Sequence, residues 1–130
     1  MAWMFDLQSA QRMVGQDATP DKIARLTMLG WSVAAVRGPE VLAIAGIATM
    51  WPGRGMAWAL ISGAPKLPML HLTRMAARGL DASPHNRIEA YVASGHREGH
   101  KWMDLLDFTR EGRMSKFVGN DDYDMYARVR

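Results

Sequence analysis

The stretch from Val41 to Leu80 constrains this chain most. It reads VLAIAGIATMWPG, then RGMAWALIS, then GAPKLPMLHLTRMAARGL. Two apolar runs rich in β-branched residues and tryptophan flank a Trp51-Pro52-Gly53-Arg54-Gly55 break, which is hairpin punctuation. The second run stops at Ser62-Gly63. From about Pro68, the residues Leu67, Leu70, Leu72, Met75 and Leu80 recur close to helical spacing. The centre is therefore predicted as strand, turn, strand, loop, helix.

The flanks extend this pattern. Trp31 to Val36 reads as a strand, and Arg37-Gly38-Pro39-Glu40 as a tight turn, so strands 31–36, 41–50 and 55–62 form an antiparallel meander. The helix over 68–80 ends at Gly79 and the Asp81–Pro84 loop. A strand over Ile88–Ala93 and a helix over 98–108 follow. Arg110 to Arg113 reads as a turn, and strands 114–118 and 123–129 flank a Gly119-Asn120-Asp121-Asp122 hairpin turn. Upstream, Thr19 can cap a helix that opens on Pro20, buries Ile23, Leu26 and Leu29, and stops at Gly30. Residues 1–18 form a separate N-terminal segment, an edge strand with a short helix or a docking tail. Residues 19–130 make one mixed α/β (α+β) domain with a mostly antiparallel sheet and flanking helices.

Composition removes several function classes. The chain has no cysteine, so disulfide scaffolds, zinc–thiolate sites and thiol nucleophiles are excluded. No run reaches the roughly 18 apolar residues of a membrane span, and MAWMFDLQSAQRM lacks the basic lead of a signal peptide. An intracellular protein is expected. The formal charge is +3, with basic residues scattered rather than stacked. Arg74, Arg78, Arg87, Arg97, Arg110 and Arg113 are interspersed with Asp104, Asp107, Asp121, Asp122 and Asp124, which reads as a mixed surface rather than a nucleic-acid track.

The element order, with its central strand–loop–helix and late strand–helix–hairpin, resembles the GNAT acyltransferase fold over roughly residues 19–130. The resemblance implies that the strand at Gly55–Ile61 leads into a loop gripping the pyrophosphate of acyl-coenzyme A. It also implies that strand 88–93 splays away, so that the pantetheine arm enters the gap. A closer likeness is to a small GNAT-like family of short-tailed bacteriophages that includes an internal virion protein. It is carried by the hydrophobic meander, a missing cofactor loop and a Gly95-His96…Phe108…Glu111-Gly112 segment before the last hairpin.

The phosphate loop of that family works by aiming consecutive backbone N–H groups of a helix start at phosphate oxygens. The matching stretch here is Ser62-Gly63-Ala64-Pro65-Lys66-Leu67-Pro68, and each proline removes a donor. Ser62, Gly63 and Lys66 are the residues left to meet phosphates, and the backbone at Ala59 and Ile61 would meet the pantetheine. The family's general acid is a tyrosine five residues before the phenylalanine of a Gly-Phe pair. Phe108 fits, but Asp107 replaces the glycine and Met103 the tyrosine. Tyr91, Tyr123 and Tyr126 are possible substitutes, and Glu98 or His96 could take a proton from an amine through water.

His96 and His100 stand four residues apart without an evident third ligand, so a polar helix start is preferred to a metal site. Eleven methionines and five tryptophans exceed ordinary core needs. Trp3, Phe5, Trp51 and Trp58 are the candidate protein contacts. The favoured reading is a non-catalytic GNAT-fold phage protein, a virion or assembly component made in the host cytoplasm, with other protein subunits as partners and no cofactor. The alternative is an acetyl-CoA-dependent N-acetyltransferase with an atypical phosphate loop.

Overall fold

The structure, a computed structural model, describes residues 30–61 and 67–130. These form β1 (Gly30–Arg37), β2 (Glu40–Trp51), β3 (Arg54–Ile61), α1 (Met69–Ala82), β4 (Arg87–Ala93), α2 (Arg97–Leu105), β5 (Thr109–Val118) and β6 (Asp121–Val129). The N-terminal expectations, with Trp3 and Phe5, and the loop carrying Ser62, Gly63 and Lys66 lie outside the described residues.

Six strands make one sheet in the order β1-β2-β3-β4-β6-β5. The expected meander is present, because β1 pairs antiparallel with β2 and β2 with β3. Its two reversals place Gly38 and Gly53 at φ 60° and 91°, a region that side chains with a Cβ disfavour. β4 with β6 and β6 with β5 are also antiparallel, and β3 with β4 is the single parallel pair. The result is one mixed domain with a mostly antiparallel sheet.

Strand pleating sorts the side chains between two faces. Arg54 stands beside Arg87 and Met56 beside Glu89, so Arg54, Met56, Trp58, Arg87, Glu89 and Tyr91 share one face. The opposite face carries Ala57, Ala59, Ile88, Ala90, Val92, Asp124 and Tyr126. Both helices lie on this second face. Trp102 Nε1 of α2 donates to Thr73 Oγ1 of α1 at 2.6 Å, joining the helices over a core of Ile47, Ala59, Leu72, Ile88, Val92 and Met103. Each large aliphatic side chain buried there contributes about 1.5–3 kcal/mol.

Three boundaries differ from expectation. Gly79 does not end α1, which runs on to Ala82. A Cβ at Gly79 would stand 2.4 Å from the Trp31 ring, so glycine is needed for close approach rather than for termination. The true end is capped by Arg130, whose Nη2 donates to the carbonyls of Leu80, Asp81 and Ser83 at 2.9, 2.8 and 2.6 Å. Leu70, expected in the buried row, is 67% exposed.

α2 stops at Leu105 rather than Phe108. Asp107 takes φ 63° while Phe108 N–H donates to Met103 O and Asp107 N–H to Asp104 O, a Schellman ending with aspartate in the left-handed position. The expected turn at Arg110–Arg113 is strand. A bulge between Arg110 and Gly112 inserts Glu111, so Arg110 and Arg113 both serve the helix face while Glu111 reaches Arg87 on the other.

Candidate functional site

β3 and β4 pair only through Arg54–Met56 against Arg87–Glu89. Beyond those residues β3 stays with β2 as far as Ile61, and β4 stays with β6 as far as Ala93. The middle of the sheet therefore opens as a wedge whose facing edges, 57–61 and 90–93, have no ladder between them. Backbone N–H and C=O groups need partners, and such an edge suits an extended chain bearing amides. The open end lies at Ile61 and Ala93, with Ser94 and the start of α2 just past it.

Ala59 and Ile61 occupy one wall of this wedge and are 1% and 3% exposed. Their side chains line a cavity of about 60 Å³ beneath the helices, with Leu72, Met103 and Phe108. Met103 is fully buried and carries no transferable proton. Asp107 takes the left-handed conformation for which a glycine would be the default, so the turn forms with aspartate at that position.

Past the open end, His96 caps α2. Its Nδ1 accepts from Gly99 N–H at 2.9 Å, which puts the ring proton of neutral His96 on Nε2 and leaves no ring lone pair for an amine. His96 thus serves as the N-cap of α2. Glu98 is exposed in the first turn of α2, where the helix dipole favours its charge. His100 points elsewhere. Its Nε2 donates to Ser94 O at 2.9 Å, and Nδ1 accepts from Tyr126 Oη at 2.6 Å. Among the described residues no three or more histidine or acidic side chains gather as a metal site.

Two buried carboxylates organise the other half of the sheet: Glu89, not singled out from sequence, and Asp124, assigned there to a mixed surface. Glu89 is 4% exposed. Arg54 Nε donates to it at 2.8 Å, Arg87 Nε at 2.6 Å and Tyr91 Oη at 2.8 Å. Hydrogen bonding from Arg54, with help from Arg87 and Tyr91, outweighs burial and lowers its pKa from 4.5 to about 2. Burial, reinforced by Glu89, raises the pKa of Tyr91.

Asp124, 3% exposed on the helix face, accepts from Ser94 Oγ, Arg110 Nε and Arg113 Nε at 2.7, 2.9 and 3.2 Å. Burial pushes its pKa up, but these donors prevail and the net shift is downward. Three of the arginines that sequence assigns to a mixed surface are ion-pair partners of these carboxylates: Arg87, and the surface-exposed Arg110 and Arg113. The legible signal was the strand alternation at Arg87-Ile88-Glu89, which places both charges on one face.

The tryptophans divide. Trp51 is 56% exposed and stacks on the Arg54 guanidinium, 4.2 Å from its ring centroid. Trp58, the other candidate contact on the sheet, is 3% exposed and packed against Gly46 in the core. Its Nε1 is the one buried side-chain donor without a partner among the described residues.

No protein-family model matches the chain, and no curated protein does. Solved structures do. A putative phosphinothricin N-acetyltransferase superposes with TM-score 0.73 at 14% identity, covering 97% of this chain and 90% of its own. A GNAT-family acetyltransferase from Streptococcus pneumoniae gives 0.69 at 13% identity, covering 95% of both chains. The ribosomal-protein-S5-alanine acetyltransferase from Vibrio fischeri gives 0.67 at 15% identity, over 83% of this chain and 67% of its own. The architecture is the GNAT fold. Among the described residues no helix is long and apolar enough to cross a membrane.

Proposed function

We propose that this chain is an acyl-coenzyme A-binding N-acyltransferase of the GNAT fold. The wedge is the observation that carries the reading: the middle strands part after three paired residues, leaving two facing backbone edges in the sheet. Such unpaired edges offer backbone donors and acceptors to an amide-bearing arm such as pantetheine. The backbone of residues 57–61 would hold that arm, and Ser62 and Lys66 would meet the phosphates. Acyl-coenzyme A supplies an acyl group activated as a thioester. Glu98, exposed just beyond the open end, accepts the proton of the attacking amine through water. The amine nitrogen gains the acyl carbon, and the released thiol leaves with a proton from solvent, because Met103 has none to give.

The burial of Met103 at the acid position favours a second reading, a GNAT-fold phage protein without catalysis that serves as a virion or assembly component. Exposed Trp51 would then be a contact residue.

Calorimetric titration with acetyl-coenzyme A separates the two. Saturable micromolar binding, weakened by Lys66→Glu, together with acyl transfer to an amine that Glu98→Gln slows, supports the enzyme. Binding without transfer to any amine supports the second reading with the wedge retained. No heat and no thermal shift at millimolar ligand retires the acyl-coenzyme A reading altogether.

A further inference from the structure

A groove of about 350 Å³ runs between the C-terminal half of α1 and the start of β1. It falls in the range of roughly 300–1,000 Å³ typical of small-molecule sites. Trp31, Ile47 and Met75 line it, with Arg78 at the rim and Ser83 and His85 at the floor. His85 packs beside Gly55 at the beginning of β3, so the groove sits at the closed end of the wedge, remote from Ile61.

Three features give this groove a chemistry. The first is an aromatic wall. Trp31 is seated against the α1 backbone at Gly79, where any Cβ would collide with it, yet 48% of the residue stays exposed. A glycine inside a helix is destabilising relative to alanine, so a seat for a half-exposed indole is unexpected from stability alone. The second is a closed polar floor. Nε2 of His85 bonds Thr49 Oγ1 at 2.9 Å and Nδ1 bonds Ser83 Oγ, so both ring nitrogens are already engaged. The third is a free cation. Arg78 is exposed and has no ion-pair partner among the described residues, unlike Arg54, Arg87, Arg110 and Arg113.

We propose that this groove binds a small aromatic carboxylate, with its ring against Trp31 and Met75 and its anion on Arg78. A guanidinium matches a carboxylate with two parallel hydrogen bonds. Indole and thioether surfaces favour an arene over a flexible aliphatic chain. With the floor polar groups satisfied, Arg78 sets the sign of the ligand charge among the described lining residues. The assignment is independent of acyl-coenzyme A binding in the wedge.

The test is calorimetry on the full chain with naphthoate, and with naphthylmethylamine as the charge-reversed control. Saturable one-to-one heat is expected for the carboxylate and none for the amine. Arg78→Gln, a surface change that leaves the thermal melt intact, weakens naphthoate at least about tenfold, and Trp31→Leu weakens it as well. The proposal is overturned by absence of saturable heat at millimolar naphthoate, by equal binding of the amine, or by undiminished binding to Arg78→Gln. Competition between naphthoate and acetyl-coenzyme A would move the ring into the wedge and overturn it too.

Discussion

In β1, β2 and β3 the buried strand side chains are Leu42, Ala43, Ile47, Ala48, Ala57, Trp58, Ala59, Leu60 and Ile61, all apolar and all from β2 and β3. Across the wedge, β4 and β6 bury Glu89 and Asp124 among their apolar residues, one on each face of the sheet and each held by two arginines. These buried side chains are stabilised by dispersion and exclusion of water, which are indifferent to pH; the charge of the first half that enters the other regime is Arg54, which reaches across to Glu89. The second half depends on charges that stay buried only while they are ionised and matched. The wedge is the seam between these regimes, so the strands lining it respond differently to acid. β3 and β4 share only three paired residues to transmit that difference.

The sharpest way to break this contrast is to damage each half in its own currency and vary the pH. Ile47→Ala removes volume from a site 3% exposed. It should cost about 3–4 kcal/mol by urea denaturation, with little change between pH 7 and pH 4. Glu89→Ala leaves Arg54 and Arg87 facing each other at a buried position and should cost about 2–4 kcal/mol near neutrality. That loss must shrink on acidification. The folded-state pKa of Glu89 lies below its ordinary 4.5, at about 2, so ionisation favours the native state. Its contribution, about 3 kcal/mol at most, is intact above pH 4.5 and fades as the pH falls toward 2. Wild-type stability should therefore drop over that window while Glu89→Ala stays flatter. Parallel pH profiles would refute the assignment.

A smaller effect sharpens the comparison within the first half. Gly79→Ala gains about 1 kcal/mol of helix propensity but drives a methyl into the Trp31 ring. It should destabilise the wild-type background and stabilise a Trp31→Ala background, a reversal that a double-mutant cycle reads directly. The smallest effect belongs to the exposed Arg37–Glu40 pair at the β1–β2 turn, 2.7 Å apart with both side chains 48% exposed. Glu40→Gln should change stability by less than about 0.5 kcal/mol. A larger change would show that the turn contributes more than its geometry provides.

Much of the fold was legible because its signals are local. Pro52-Gly53 and Gly38-Pro39 punctuate strands whose β-branched runs have one conformation open to them, and Gly119-Asn120 does the same for β5 and β6. The end of α2 was not, because Asp107 enters the left-handed region without the glycine that would announce it. The strand character of Arg110–Arg113 was hidden in the same way. A run of charges reads as a turn until a bulge distributes Arg110, Glu111 and Arg113 to Asp124 and Arg87 on opposite faces. Among the candidate site residues, Ala59 and Ile61 could be placed on a strand because strand assignment is a local matter. Trp58 could not be sorted into core or surface by residue type.

What the sequence by itself determined is the succession of elements, the antiparallel meander, the exclusion of thiol chemistry and the absence of a glycine-rich phosphate nest. Those follow from backbone preference, hydrophobic period and composition, which act over a few residues. Tertiary structure alone decided which distant side chains meet: that Arg54 reaches Glu89, and that Trp31 rests on Gly79. The physical reason is sequence distance. Contacts between residues 35 or 48 positions apart are fixed by strand register and helix placement, and no local pattern in the chain encodes either one.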